Sequence, residues 1–204
     1  DPSIIFNSSG ADAMRFYLMN SPVTNADDLR FSERGVSEVL RNVLLPLWNA
    51  YSFFVTYANA DNMNQLAGSQ LVNSQNSLDT YILSELEILK KSVTEELDSY
   101  ELHKACSHFP KFFDNLTNWY IRRSRRRFWA KNDEGNREDK DAAYSTLYHV
   151  LLEIVKILAP ICPFISEEIY QNLTDTTNKV QSTKSVHHEL WPKLNESLID
   201  KGLS

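Results

Sequence analysis

The densest group of potentially ligand-binding side chains in this sequence is the basic segment at residues 120–131, YIRRSRRRFWAK. This segment contains five arginines and one lysine and has no acidic residue. Outside it, 15 basic residues stand against 27 acidic ones, a net charge of −12, whereas the whole chain carries −6. Guanidinium groups form paired hydrogen bonds with phosphates, and aromatic rings stack on unpaired bases. The segment therefore favours contact with RNA over the alternative of a solvated charge run.

The helical phase of this segment divides its arginines into two groups. At ~100° per residue, apolar side chains from Phe109 to Tyr120 form one stripe, which Arg123 and Arg127 continue. Either the helix extends beyond its neighbours here, or Arg123 and Arg127 pair with buried carboxylates. We predict that one of these two is structural, while both stay candidates for RNA contact. The residues predicted to bind RNA directly are Arg122, Arg125, Arg126, Phe128, Trp129 and Lys131.

Metal and nucleophilic sites are weaker candidates. His103, Cys106 and His108 lie close together in the sequence, but a helix places His108 on another side and no fourth ligand is near. Cys106 and Cys162 lie in apolar or helical contexts, which favours inert buried thiols over a Cys–His nucleophile. We therefore predict no catalytic residue and no metal site in this chain.

Glycine is scarce in this chain, with only 5 among 204 residues and no two within 20 positions of each other. Dinucleotide fingerprints, P-loops and nucleophile elbows need closely spaced glycines, so these sites are excluded. Two cysteines are too few for a disulfide framework, and no apolar run approaches the ~20 residues of a membrane span. A cytoplasmic protein without a membrane partner is predicted. Because the chain does not begin with Met, we expect a piece of a longer protein.

The apolar periodicity predicts that helices position the basic segment. Amphipathic stripes with a period of ~3.6 occupy residues 11–19, 33–57, 78–97, 101–129, 141–158 and 164–173. Pro46 is expected to kink or split the second helix, Ser77 or Asp79 to cap the third, and Ser166 to cap the last. Strands and helices do not alternate, so the predicted fold is all-α, an antiparallel helical bundle.

Four segments, in order, resemble elements of one family, the class Ia aminoacyl-tRNA synthetases of the Ile/Val/Leu group. GADAMR at 10–15 resembles the element that follows their KMSKS loop, and LDTYIL at 78–83 resembles the opening of their anticodon-binding bundle. LAPICPFISEEI at 158–169 is closely similar to a third element, and SVHHELWP at 185–192 resembles a fourth. The resemblance covers essentially the whole chain and implies an all-α bundle of the class Ia anticodon-binding type.

Within that group, residues 118–129 and 45–51 resemble the isoleucyl type of the eukaryote-like branch, although Tyr81 stands where the family usually has Trp. The 204 residues contain no HIGH-type or KMSKS element, no editing domain and no zinc-binding C-terminal module. The chain itself is therefore expected not to aminoacylate. The equivalent domain of a valyl-type synthetase is one alternative, and a helical scaffold for protein interactions is another.

The resemblance also implies a division of the chain and a set of partners. Residues 1–31 correspond to a linking segment, 32–192 to the anticodon-binding bundle and 193–204 to a C-terminal extension. The linking segment is expected either to dock loosely or to cover exposed apolar surface. The implied partners are tRNA(Ile) and the catalytic and editing domains of the parent chain, and the fragment is expected to be monomeric. The parent would ligate isoleucine to tRNA(Ile) using ATP and Mg²⁺, whereas no cofactor is expected in this fragment.

Overall fold

The computed structural model describes residues 2–63, 71, 74–131, 136–174, 185–200 and 202, and these residues contain no β-strand. The α-helices are α1 Pro2–Ser9, α2 Ala11–Met19, α3 Glu33–Val39, α4 Leu45–Ala60, α5 Ser77–Asp98, α6 Leu102–Ser107, α7 Phe109–Asp114, α8 Arg122–Trp129, α9 Arg137–Leu158 and α10 Pro163–Thr174. Two π-helical segments, Leu40–Leu44 and Asn115–Ile121, join α3 to α4 and α7 to α8. The prediction of an all-α bundle is confirmed. Among the described helices, none combines the length and apolar character needed to cross a bilayer.

Ion pairs at one end of the bundle show the relative directions of four helices. Asp79 at the start of α5 contacts Arg127 near the end of α8 at 2.7 Å. Asp61, immediately after α4, contacts Lys140 near the start of α9 at 2.8 Å. Hence α8 ends where α5 begins, and α4 ends where α9 begins. Each of these two pairs of helices therefore runs antiparallel.

The irregular backbone before α4 has a clear chemical cause at Pro46. The proline nitrogen carries no hydrogen, so the carbonyl one turn earlier loses its helical donor. The chain responds with the π-helical segment Leu40–Leu44, in which hydrogen bonds span five residues instead of four. The helix continues through this segment into α4, so Pro46 distorts the predicted second helix without ending it.

The segment before the bundle is anchored through α2. Phe16 is fully buried, and the carboxylate of Asp12 accepts hydrogen bonds from the backbone amides of Phe164 (3.4 Å) and Ile165 (2.7 Å) at the start of α10. Asp12 therefore caps α10, whereas the Oγ of Ser166, the predicted cap, is buried without a partner among the described residues. Burial raises the pKa of Asp12, although the two amide donors oppose this effect. These contacts favour the alternative in which the linking segment covers apolar surface of the bundle, and loose docking stays a prediction that limited proteolysis tests.

A buried charge cluster ties the C-terminal segment to the bundle. Lys90 on α5 contacts Glu87 at 2.8 Å and Glu153 of α9 at 3.1 Å, and it also donates to the carbonyl of Lys193 at 3.1 Å. The second carboxylate oxygen of Glu87 accepts from the backbone amide of Asn195 at 2.7 Å. Because each buried charge has an opposite charge or a hydrogen-bond partner, the cluster holds residues 193–195 against α5.

Two titratable groups, Glu153 of this cluster and the neighbouring His149, lead us to expect that the fold loses stability in acid. Burial lowers the pKa of His149 despite the nearby carboxylate of Glu153. Burial favours the neutral form of Glu153, but the charges of Lys90 and Lys156 outweigh it and lower its pKa. Both groups bind fewer protons in the folded state than in the unfolded state. Stability is therefore present above the unfolded pKa values, about 6.5 for His and 4.3 for Glu, and is lost as the pH falls below them.

We expect the melting temperature to fall between pH 7.5 and pH 5.5, and His149→Gln to reduce that fall. Each kcal/mol lost from the free energy of unfolding lowers the melting temperature by about 2–4 °C for a chain of this size. Differential scanning calorimetry at several pH values measures the effect. His188→Gln is the matched control, because His188 is exposed. If the melting temperatures of wild type and His149→Gln depended equally on pH, His149 would not contribute to the loss of stability in acid.

Candidate nucleic-acid interface

The basic segment lies on a helical rod made of α7, the π segment Asn115–Ile121 and α8. The π segment holds more residues per turn than an α-helix, so it changes which side chains face the core. From its last residue onward, the inward positions are Ile121, Ser124 and Phe128, all of them buried. Arg123 is exposed. The predicted inward phase of Arg123 is therefore wrong, because it assumed an uninterrupted α-helix.

Four arginines of the rod form an exposed surface, which we call the basic ridge: Arg122, Arg123, Arg125 and Arg126. Within the described part of the chain, no hydrogen bond or ion pair engages Arg122, Arg125 or Arg126. Lys131, just beyond α8, is also exposed and has no partner there. Each free guanidinium keeps five donors in a planar fork that matches a phosphate group. Among the described residues no acidic side chain neutralises these three arginines, so the ridge is a cationic surface on an acidic protein.

An aromatic–cation stack borders the ridge on one side. The guanidinium carbon of Arg123 lies 3.5 Å from the ring centroid of Trp119, which is 43% exposed. Tyr81 of α5 lies next to the same indole, with ring centroids 6.3 Å apart. Stacking on Trp119 holds Arg123 in place while its N–H edge stays accessible. The inward stripe predicted from Phe109 to Tyr120 includes Trp119, and this position is wrong. The i, i+4 spacing of Trp119 and Arg123 was an available signal for the stack.

Arg127 differs from the ridge arginines, because carboxylates engage its guanidinium. Both oxygens of Asp79 accept from it at 2.7 Å, and Asp139 accepts from Nε at 2.9 Å. The buried hydroxyl of Tyr120 also donates to Asp79 at 2.8 Å. Burial opposes the charge on Arg127, but the bonds to Asp79 and Asp139 outweigh it and raise its pKa. Arg127 therefore anchors α8 to the starts of α5 and α9.

The two aromatic residues predicted to contact RNA have different environments. Phe128 is only 1% exposed, and its ring packs edge-on against Phe53 and Tyr144 with centroids 5.0 and 4.9 Å away. This position in the core corrects the prediction for Phe128, because its ring offers no face to a base. Trp129 is 56% exposed and lies 6.4 Å from the ring of Tyr57. Trp129 is therefore accessible for stacking.

An open groove of about 430 Å³ runs along the other side of the basic ridge, between α4 and the rod. Asn49 and Phe53 line it from α4, Asn118 and Ile121 line it from the π segment, and Arg125 lies at its edge. The groove thus combines amide, aromatic, aliphatic and cationic groups. No local sequence pattern indicates this groove, because α4 and the rod are far apart in the chain.

The weaker candidate sites differ from the ridge in burial and chemistry. Cys106 and Cys162 are buried free thiols, and burial raises the pKa of Cys106 to about 12. A thiol with such a pKa is protonated at neutral pH and is a poor nucleophile. Within the described ranges, no group of three or more His, Cys, Asp or Glu side chains is arranged to hold a metal ion. The ridge and its flanks therefore remain the candidate site.

Comparisons with known proteins give similarities over most or all of the chain. Residues 79–203 match the family model described as the anticodon-binding domain of tRNA ligase. The chain is 42% identical to an isoleucine–tRNA ligase of Treponema denticola, over all of this chain and 19% of that protein. It is 49% identical to an isoleucine–tRNA ligase of Protochlamydia amoebophila, over 85% of this chain and 16% of that protein. The chain thus spans about a fifth of the length of these relatives.

Among solved structures, the fold is similar to a LeuRS from Agrobacterium radiobacter K84 in a ternary complex with tRNA and LeuAMS. The TM-score is 0.66 at 20% sequence identity, and the match covers 98% of this chain and 21% of that one. At this identity the comparison concerns the fold alone. It supports the helical bundle as a known arrangement.

Proposed function

This chain belongs to the family of tRNA-ligase anticodon-binding domains, and from that premise we propose that it binds the anticodon stem and loop of tRNA(Ile). The observation that carries the proposal is the basic ridge, a row of exposed arginines that have no carboxylate partner among the described residues, on a chain of net charge −6. A tRNA phosphate backbone is complementary to such a surface. A protein-interaction scaffold is not favoured, because no ion pair within the part of the chain that the structure describes engages the ridge arginines.

The proposed contacts divide by chemistry into phosphate-binding and base-stacking groups. Arg122, Arg125 and Arg126 bind phosphates through free guanidinium forks, and Lys131 adds a cation at the end of α8. Arg123 presents its N–H edge from the Trp119 stack, and Trp129 supplies an exposed ring for a base. Phe128 is left out because it is buried, and Arg127 acts by holding α8 in position.

We also propose that the parent protein is an isoleucine–tRNA ligase, which ligates isoleucine to tRNA(Ile) with ATP and Mg²⁺. The supporting observation is the 42% identity to such a ligase along the entire chain. Among the described residues, no cluster of His, Cys, Asp or Glu side chains fits a metal ion. In this proposal the domain holds the tRNA while other domains perform the ligation. The two free thiols are compatible with a reducing, cytoplasmic setting.

A binding titration tests the proposal. The 204-residue chain is titrated at low salt with a tRNA(Ile) transcript and with the same transcript carrying an altered anticodon. We expect tighter binding to the native anticodon, by about tenfold, because an altered base loses hydrogen bonds along its edge and leaves their protein partners unpaired, at about 1–3 kcal/mol. Fluorescence anisotropy with labelled transcripts gives both dissociation constants. Equal affinities would contradict anticodon recognition, and no binding at low salt would contradict the proposed function altogether.

A further inference from the structure

We infer that Tyr100, in the turn between α5 and α6, is a phosphorylation site for a protein-tyrosine kinase that prefers acidic substrates. The inference goes beyond the proposed function, because Tyr100 follows the end of α5 whereas Asp79, which anchors α8 and its ridge, lies at the start of that helix. A helix of 22 residues is about 33 Å long, so the two ends form separate surfaces.

Tyr100 differs from the other tyrosines of the chain in its accessibility. It is 87% exposed, whereas the other eight tyrosines are buried or half-buried. Within the described residues, its hydroxyl has no hydrogen-bond partner. By contrast, the hydroxyls of Tyr120, Tyr144 and Tyr170 each donate to a carboxylate. A kinase must bind the phenol oxygen in its own active site, so the folded chain presents Tyr100 as the accessible acceptor.

The backbone of Tyr100 is in the left-handed region, with a φ of 60°. Tyr100 follows Ser99, the C-cap of α5, and helices usually place glycine at this position because a Cβ is strained there. A bulky side chain at such a φ lowers stability, and at 87% exposure Tyr100 gains little packing in return. A residue that opposes its local structure in this way indicates a role outside the fold.

Acidic side chains surround Tyr100 in the sequence. Residues 95–101 contain no basic residue and four carboxylates, those of Glu95, Glu96, Asp98 and Glu101. Within the described part of the chain, Glu96 and Asp98 have no ion-pair partner. A kinase whose substrate cleft is lined by lysine and arginine is complementary to this segment. The charge therefore indicates the class of kinase, and the exposure indicates the tyrosine.

The turn around Tyr100 can open locally to enter a kinase cleft. Three hydrogen bonds close it, from the backbone amides of Ser99 (3.1 Å), Tyr100 (3.0 Å) and Glu101 (2.8 Å) to carbonyls in the last turn of α5. The side chains of Asp98, Ser99 and Tyr100 are all exposed. Terminal turns with few buried contacts open at a small cost in free energy. The segment can therefore become extended while the buried part of α5 stays helical.

The proposed step transfers the γ-phosphoryl group of Mg²⁺-bound ATP to the phenol oxygen of Tyr100. A bond forms between this oxygen and the γ-phosphorus, and the bond from that phosphorus to the bridging oxygen breaks. ADP leaves, and the kinase accepts the phenol proton. The product carries about two negative charges at the C-terminal end of α5, where the helix dipole and the neighbouring carboxylates repel them. Phosphorylation should therefore loosen the turn.

This turn leads directly into α6, which contacts the segment before the bundle. The side-chain amide of Asn25, at the end of the short 3-10 helix Pro22–Asn25, donates to Nδ1 of His103 in α6 at 3.4 Å. Ala105 and Cys106 of α6 are fully buried. Because α6 ties residues 22–25 to the bundle, a modification at its entry acts as a switch on that attachment.

The test exposes the 204-residue chain to a purified tyrosine kinase domain that phosphorylates a glutamate–tyrosine copolymer, with ATP and Mg²⁺. Intact-mass spectrometry counts the phosphates, and peptide mapping locates them. We expect one phosphate per chain, at Tyr100. Tyr100→Phe should abolish incorporation, whereas Tyr81→Phe, the matched control at a half-buried tyrosine, should keep one phosphate. In the phosphorylated chain, hydrogen exchange of the amides at 99–101 should accelerate by about tenfold.

Two further comparisons separate the fold from the charge around Tyr100. A tryptic digest frees all nine tyrosines from the fold, so several of them should be phosphorylated. In the double variant Glu96→Gln, Asp98→Asn, the initial rate on the intact chain should fall about fivefold, because two attractive charges are lost. The control Glu138→Gln, Glu196→Gln removes two exposed carboxylates elsewhere and should keep the wild-type rate.

The outcomes are distinct from those for RNA binding. If the kinase phosphorylates the copolymer but not the folded chain, or phosphorylates another tyrosine of the folded chain, the inference is overturned. Equal rates for the two double variants would overturn the assignment of the kinase class. A failure of the tRNA titration would leave this site untouched, because Tyr100 is not part of the basic ridge.

Discussion

Replacing Arg122, Arg125 and Arg126 together by alanine is expected to weaken binding to tRNA(Ile) by about 100-fold, at about 1 kcal/mol for each charged contact. The slope of log K against log salt should decrease by about one to three units, because each lost phosphate contact reduces counterion release. Stability should hardly change, since these guanidinium groups are exposed and unpaired within the described structure. Anisotropy titrations at several salt concentrations measure both binding quantities.

The matched control removes three other exposed cations, at Arg34, Lys91 and Lys104. Each of them pairs with a glutamate three or four residues away on the surface. Both triple variants have the same net charge, so the comparison separates the position of the charge from its amount. We expect the control to lose only a few-fold in affinity. Equal losses and equal salt slopes in the two variants would show that the ridge has no special role.

Much of the fold follows from local sequence patterns. The spacing of apolar residues in α2, α5 and α9 predicts helices close to those observed, because each helix buries one continuous stripe. Ser32 caps α3 through its hydroxyl oxygen, which accepts from the backbone amide of Gly35 at 3.3 Å. Pro46 disturbs its helix as predicted. These features depend on residues within one or two turns of each other, so one sequence is sufficient to predict them.

The arrangement of the arginines could not be predicted in the same way. The π segment Asn115–Ile121 has no local breaker such as proline or glycine. Packing against α4 and α5 stabilises this segment, and a helical wheel contains no information about that packing. The resulting change of phase turns Trp119 and Arg123 outward and places Phe128 in the core. The wrong inward phase of Arg123 and the wrong RNA contact of Phe128 therefore have the same cause.

Long-range contacts explain the errors about caps. Asp79 was a candidate cap for α5, but the side chain of Asn76 accepts from the amide of Leu78 at 3.0 Å and takes that role. Asp79 instead binds Arg127, which is 48 positions away in the sequence. Asp12 caps α10 from 153 positions away. A carboxylate near the start of a helix fits both roles in sequence, and only the tertiary structure distinguishes them.

Asp79→Ala is expected to cost about 3–5 kcal/mol of unfolding free energy, the usual loss when one partner of a buried ion pair is removed. Asp79 is 0% exposed and accepts two bonds from Arg127 and one each from the hydroxyls of Tyr120 and Ser74. The substitution leaves the Arg127 charge and the Tyr120 hydroxyl without their main partner. Urea denaturation followed by circular dichroism measures the loss.

Three further variants test whether the loss comes from burial of the pair. Arg127→Ala should cost as much as Asp79→Ala, because it leaves a buried carboxylate uncompensated. Asp139→Ala should cost about 0–1 kcal/mol, since Asp139 is 49% exposed and water replaces its contact. Arg125→Ala should be near neutral for stability while weakening tRNA binding. If Arg125→Ala destabilised the chain more than Arg127→Ala, the division between anchoring and RNA-binding arginines would be wrong. The expected order of stability losses, larger for Arg127→Ala than for Arg125→Ala, separates the arginine that holds α8 in place from the arginines that α8 presents to RNA.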